Sequence, residues 1–279
     1  MNILNHKPRI FLTTSLQLLL GLVLSSVIHA ENSLRIATAA NFLPTLQRLA
    51  PIFQQQYDIN LEINSGSSGK FYTQITHGLP VDLFLSADSE KPTQLVRKGF
   101  SANNRTYQYA KGSLVFWGQD LTLSPTPRSL EEQLSLQLKH CQRISMANPK
   151  LAPYGLASSE VLARLEDDNL KPRYQLITGE NINQSLYFKT SHNTDCAFIA
   201  QSQATHLQLK IHHAPYSLIS IPDHWHTPII QQGVILKHSK NIQHAELFMQ
   251  FLQSTAIQTI IQQQGYQTMA LPRLDQEAL

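Results

Sequence analysis

Short apolar segments, each followed by a turn and then an amphipathic helix, recur along this chain, and that order leaves few folds open. Residues 34–38 read as a strand. After Ala39-Ala40-Asn41, residues 43–55 place Leu43, Leu46, Leu49, Ala50 and Phe53 at helical spacing. Pro44 suits the first turn of that helix, where a missing N–H costs nothing. The pattern repeats with a strand at 60–64, a Ser/Gly turn at 65–69 and a helix at 70–77, then a strand at 81–86 and a helix at 89–98. A strand at 113–117 and a Ser/Pro-rich connector at 123–127 interrupt it. It resumes with strands at 142–146, 175–178 and 196–200, and helices at 155–165 and from Ile182 onward. Two helices, 245–252 and 255–264, close the chain. Strand alternating with helix predicts an α/β protein with mostly parallel sheets covered by helices. The interruptions place one lobe at 31–113 with 233–279 and a second at 114–232.

Residues 1–30 read as a cleavable export signal: Lys7 and Arg9, an apolar stretch from Ile10 to Ile28, then Ala30 before polar Glu31 and Asn32. Thr13, Thr14, Ser15, Gln17, Ser25 and Ser26 break up that stretch, which makes it a poor membrane anchor. No cysteine lies near the break to accept a lipid. Two of the three net positive charges sit in this segment, so the remainder is nearly neutral and has no basic run suited to nucleic acid. Export also bears on Cys141 and Cys196: in an oxidising compartment the pair is expected to close one disulfide, the alternative being two buried thiols.

Ligands of open α/β sheets bind beyond the carboxyl ends of the strands, where helix starts present unpaired N–H groups to anions. Four turns fall there: Ala39-Ala40-Asn41, Ser67-Ser68-Gly69, Pro153-Tyr154-Gly155 and Asn181-Ile182, two in each lobe. Each has an ordinary reading as well. Asn41 could be a helix cap, Ser67 and Ser68 turn residues, and Tyr154 a packing residue. Lys70 reads better as an exposed helix lysine than as an anion partner. Gly66–Lys70 has the wrong spacing for a phosphate loop, and Phe71 stands where Ser or Thr is needed.

The succession Ala39-Ala40-Asn41, Ser67-Ser68 and the run GLPVDLFLSAD (residues 78–88) resembles the periplasmic molybdate-binding proteins of ABC transporters. Gly112 to Val115, Ala147-Asn148-Pro149 through Pro153-Tyr154-Gly155, Gly179 to Ile182 and Gly265-Tyr266 continue the likeness in order, from Leu34 to about Pro272. The resemblance implies a two-lobed periplasmic-binding-protein-like fold with a two-strand hinge, closing on one dehydrated oxyanion, molybdate or tungstate. It implies no catalysis and no cofactor. The protein would be a periplasmic monomer that delivers its ion to the permease of an ABC importer.

By position, Asn41 and Ser68 would donate through backbone and side chain, Tyr154 through its hydroxyl and Ile182 through its backbone N–H, with Ala40 and Ser67 as additional contacts. Ala40 lacks the hydroxyl of a threonine found in some relatives, and Ala200 stands where others carry a ligand tyrosine, so Tyr154 supplies the phenol. Three alternatives remain. The same scaffold could bind sulfate or a small organic acid. An exported hydrolase could use Ser67 or Ser68 as nucleophile, although no G-x-S-x-G occurs and His77 lies far along its helix. Zinc could bind within the cluster His206, His212, His213, His224 and His226, with His224 and His226 on one strand face.

Overall fold

The computed structural model describes residues 32–119, 129–165, 174–210 and 218–267. The export segment, the connector at 123–127, and His212 and His213 lie outside them. In chain order the strands are β1 (Ser33–Ala39), β2 (Asn60–Gly66), β3 (Leu83–Ser86), β4 (Tyr107–Lys111), β5 (Leu114–Trp117), β6 (Arg143–Ala147), β7 (Gln175–Gly179), β8 (Cys196–Ala200), β9 (Leu218–Ser220) and β10 (Ile230–Ile235). The helices are α1 (Leu43–Tyr57), α2 (Ser68–Thr76), α3 (Glu90–Arg97), α4 (Leu130–His140), α5 (Pro153–Leu165), α6 (Ile182–Thr190), α7 (Gln201–Lys210), α8 (Ile242–Gln253) and α9 (Thr255–Gln263).

These strands form two five-stranded sheets, β2-β1-β3-β10-β4 and β7-β6-β8-β5-β9, one per lobe. Both are mixed rather than mostly parallel. β1 pairs parallel with β2 and β3, and β6 with β7 and β8; the remaining pairings, through β10 and β5, are antiparallel. The reason is the crossing. β5 and β10 each enter their sheet from the other lobe, so they run against the strand beside them. The carboxyl ends of β1, β2, β3, β6, β7 and β8 therefore all face the crossing side.

The chain crosses once through Gly112 and Ser113, between β4 and β5, and returns between β9 and β10. The Gly112 N–H donates to Ile229 O at 2.9 Å and ties the two crossings together. The return falls earlier than the sequence suggested: Ile230 already pairs with Lys111, so residues 230–232 belong to the first sheet. β4 and α4 were not anticipated, although α4 begins with a legible signal. Ser129 Oγ accepts from Glu132 N while the Glu132 carboxylate accepts from Ser129 N, a reciprocal cap.

Each lobe buries apolar residues on both faces of its sheet. In the first, Phe42, Phe53, Tyr109 and Phe248 pack on one face and Ala37, Phe84 and Val234 on the other. In the second, Phe116, Phe198 and Val161 oppose Val115, Trp117 and Ile199. Cys141, which ends α4, is disulfide-bonded to Cys196 at the start of β8, with Cα atoms 6.0 Å apart.

The run GLPVDLFLSAD contributes a buried carboxylate as well as β3. Asp82 has no exposed surface. It accepts from Arg35 N at 2.9 Å, from the Arg35 guanidinium at 3.2 and 3.3 Å and from Ser239 Oγ at 2.9 Å. Burial pushes this carboxyl up, but the bonds from Arg35 and Ser239 and the guanidinium charge together carry it below the usual carboxylate range. A depressed folded value stabilises the protein fully above the unfolded value of about 3.9, and that stability is lost as pH falls through the folded one. Replacing Asp82 with asparagine is expected to cost about 3 kcal/mol at neutral pH and to flatten the acid limb of stability. Urea midpoints measured between neutral and acid pH check this. If the variant loses stability with acid as steeply as the wild type, the dependence does not come from Asp82.

Candidate oxyanion-binding site

Each sequence-predicted turn lies at a strand end on the crossing side. Asn41 sits in a single 3-10 turn, Ala40–Phe42, directly after β1. It is not a helix cap: Phe42 precedes α1, and no side chain caps that helix. Asn41 is buried, and its amide Nδ2 donates to Gln231 Oε1 at 3.0 Å and to the Tyr266 hydroxyl at 3.2 Å. Both side-chain protons are thereby spent inside the protein. The backbone N–H, which precedes the Leu43-to-Ala40 bond of the turn, has no acceptor within it. Ala40 beside it is buried and offers only its backbone.

Ser67 and Ser68 lie where β2 meets α2. Ser67 holds the cap position with an extended backbone, yet its side chain makes no cap bond. Its Oγ is buried with no hydrogen-bond partner, an arrangement folded proteins normally avoid. Ser68 Oγ accepts from Ala87 N at 3.1 Å, which leaves its own proton to donate. As the first residue of α2, Ser68 also has no intrahelical acceptor for its backbone N–H. The next residue reaches the other lobe: Gly69 N–H donates to Leu151 O at 2.8 Å.

In the second lobe, Tyr154 enters the first turn of α5 and is buried. Burial pushes its hydroxyl well above 10, with nearby Tyr266 adding to the effect, so the phenol keeps its proton. Its oxygen accepts from Gln231 Nε2 at 3.5 Å, across the lobes. Ile182 opens α6, so its N–H too has no intrahelical acceptor, while Asn181 before it is an ordinary cap accepting from Asn183 and Gln184 N–H. Gln203 knits this start to the end of β8, accepting from Ala200 N and donating to Ile182 O. Ala200 is buried and has no side-chain donor.

The parts converge. Ala39, Ala40 and Ala87 of the first lobe share one buried cluster with Tyr154, Ile182 and Ala200 of the second. Nearby cations are committed elsewhere: Lys111 pairs with Asp223 at 2.6 Å, and Lys70 bonds Glu180 of the other lobe at 3.4 Å with both side chains half exposed. A surface pair of that kind contributes about 0–1 kcal/mol. It borders a separate cavity of about 350 Å³ that includes Asn64, Gln74 and Asn181.

Sequence reasoning missed Gln231 and Tyr109, and it named Gly112 only within the family likeness, with no role at the site. Gln231 has no exposed surface, and its Oε1 also accepts from the Tyr109 hydroxyl at 3.0 Å. The signal was a glutamine on the same strand face as Ile229 and Gly233, an interior position by alternation. The hydrolase and zinc alternatives find no supporting geometry among the described residues, and His212 and His213 lie outside them. His224 and Trp225 lie in the 3-10 turn Asp223–Trp225 and His226 follows it, so the two histidines do not share a strand face. Among the described residues no group of three or more His, Cys, Asp or Glu is placed to hold a metal. No base touches Ser67 Oγ, and the His77 ring lies at the far end of α2 against Thr73 O.

Two α/β lobes joined by two crossings, with helix starts from both meeting between them, define a two-lobed solute-binding protein. Residues 34–267 match the family described as bacterial extracellular solute-binding protein. The chain is 32% identical over 256 residues to the molybdate-binding protein ModA of Rhodobacter capsulatus, covering 91% of this chain and 95% of that one. It is 30% identical over 247 residues to ModA of Azotobacter vinelandii, covering 88% and 93%. The solved periplasmic molybdate-binding protein of Azotobacter vinelandii aligns with a TM-score of 0.73 at 32% identity, over 85% of this chain and 99% of that one. This chain belongs to the bacterial extracellular solute-binding proteins, in the group of the molybdate-binding ModA proteins, a non-enzymatic family. No described helix is long and apolar enough to cross a membrane.

Proposed function

We propose that this protein captures molybdate, and tungstate with it, between its lobes and hands the ion to the permease of an ABC importer, acting as a periplasmic monomer. The observation that carries the reading is the buried, unpartnered hydroxyl of Ser67 at a helix start, in a cradle completed by neutral donors from both lobes. The donors are the backbone N–H of Asn41, the N–H and hydroxyl of Ser68, the hydroxyl of Tyr154 and the N–H of Ile182, with the Ala40 backbone alongside.

The chemistry suits a fully ionised oxyanion. Such an ion accepts hydrogen bonds on every oxygen and resists dehydration unless each is replaced. Fixed N–H and O–H dipoles replace that water and reject an anion oxygen carrying its own proton. Each bond to the charged ligand contributes about 1.5–3 kcal/mol. Replacing Ser67 with alanine, or Tyr154 with phenylalanine, is therefore expected to weaken molybdate binding roughly 10- to 150-fold. Calorimetry of the wild type and both variants against molybdate, tungstate, sulfate and phosphate tests the reading. Tight molybdate and tungstate binding, weakened in both variants, is the expected result. Sulfate binding without molybdate binding would sink it.

A further inference from the structure

We propose that Gln231 is a positioning and specificity-determining residue of this cradle: its amide holds Tyr154 as an obligate donor and joins the donor sets of the two lobes. The proposal rests on the oxyanion reading above. Gln231 lies in β10, within the first lobe's sheet, where the ladder to β4 shifts register. Gln231 pairs with Ala110 and Gln232 with Gln108, so Tyr109 is the extra residue of a bulge. Bulges re-aim side chains next to functional sites. Here the Tyr109 carbonyl accepts from Gln258 Nε2 at 2.9 Å, while its hydroxyl turns to Gln231 Oε1 and Ser86 O, each at 3.0 Å.

The direction of the amide follows from its neighbours. The Tyr266 hydroxyl donates its single proton to Asn41 O at 2.8 Å, so it can only accept from the Asn41 side chain. That requirement sets Asn41 Nδ2 towards both Tyr266 and Gln231, and Gln231 must answer with its oxygen. Its nitrogen is then left to face Tyr154. A phenol oxygen that accepts from Gln231 has its own proton free, and that proton is directed at the ligand. The orientation passes from Tyr266 through Asn41 and Gln231 to Tyr154, and so from one lobe to the other. An anion oxygen bearing a proton would meet a donor there, not an acceptor.

A double-mutant cycle tests this with molybdate and inorganic phosphate as probes. Gln231→Met keeps the length and removes the hydrogen bonds. Gln231→Glu keeps the shape but offers Tyr154 only an acceptor, which draws its proton away from the ligand. If Gln231 acts through Tyr154, Gln231→Met weakens molybdate binding about 10-fold in the wild type but less than about 2-fold in a Tyr154→Phe background. Gln231→Glu lowers the molybdate-to-phosphate affinity ratio, also by about 10-fold, because the phenol oxygen can then accept from a protonated anion. Equal losses from Gln231→Met in both backgrounds, with an unchanged ratio in Gln231→Glu, overturn the proposal and leave the cradle standing. If Gln231→Met does not fold, the affinity ratio of Gln231→Glu decides alone. A wild-type protein that fails to bind molybdate removes the cradle reading, and the proposal with it.

Discussion

Replacing Gly112 with alanine is expected to lower molybdate affinity by about 100-fold or more while leaving each lobe folded. Gly112 lies in the first crossing, and a methyl group there would overlap the Tyr154 hydroxyl and stand 2.9 Å from Gln231 Nε2. The glycine is needed for space, since its backbone is not left-handed. An alanine forces Tyr154 out of the cradle or holds the lobes apart. Either result removes one charge-assisted bond and loosens the others, so a loss beyond about 2.7 kcal/mol follows. Calorimetry gives the affinity, and thermal melting without ligand shows whether the fold survives. Wild-type affinity in a folded alanine variant would mean that Tyr154 does not approach the crossing when the ion is bound.

Removing the disulfide should have the largest effect on stability. Cys141 and Cys196 are separated by 55 positions and join α4 to β8 in the second lobe. Closing a loop of that length restricts the unfolded chain by about 4 kcal/mol in the chain-entropy account. Changing both cysteines to alanine should lower the melting temperature by roughly 8–16 °C for a chain of this size. Scanning calorimetry, with the wild type run with and without reductant, measures it. An unchanged melting temperature would show that the second lobe does not draw its stability from this bond. The cradle should retain its affinity in the variant, because neither sulfur lies among the donors.

Much of the cradle was legible because its parts are local. A helix start after a strand is written in a few consecutive residues, so the four turns could be picked out, while the family likeness named Asn41, Ser68, Tyr154 and Ile182 within them as the proposed donors. What each does was not local. Asn41 reads as a cap or as a side-chain donor, yet its amide is spent on Gln231 and Tyr266, both about two hundred positions away. Ser67, a secondary candidate by position, is the one hydroxyl among the four turns found buried without a partner. Alternation marks Gln231 as interior, but its role was not legible for the same reason: it depends on Asn41, Tyr109 and Tyr154 arriving from three other segments.

The mixed sheets carry the same lesson. Apolar periodicity gives strand and helix but not direction, so β5 could be placed as a segment without revealing that it runs backwards, and β10 was not placed as a strand at all. The family likeness was carried by several short runs in a set order, most of which hold a turn or a buried strand. The sequence by itself determined the α/β class, the places where helix starts gather and the pair of cysteines, since these follow from spacing and residue type within a few positions. Only the tertiary structure decided which hydroxyl lacks a partner, which glutamine joins the lobes and where a glycine makes room. Those depend on distances between residues far apart in the chain, which packing sets and local pattern does not.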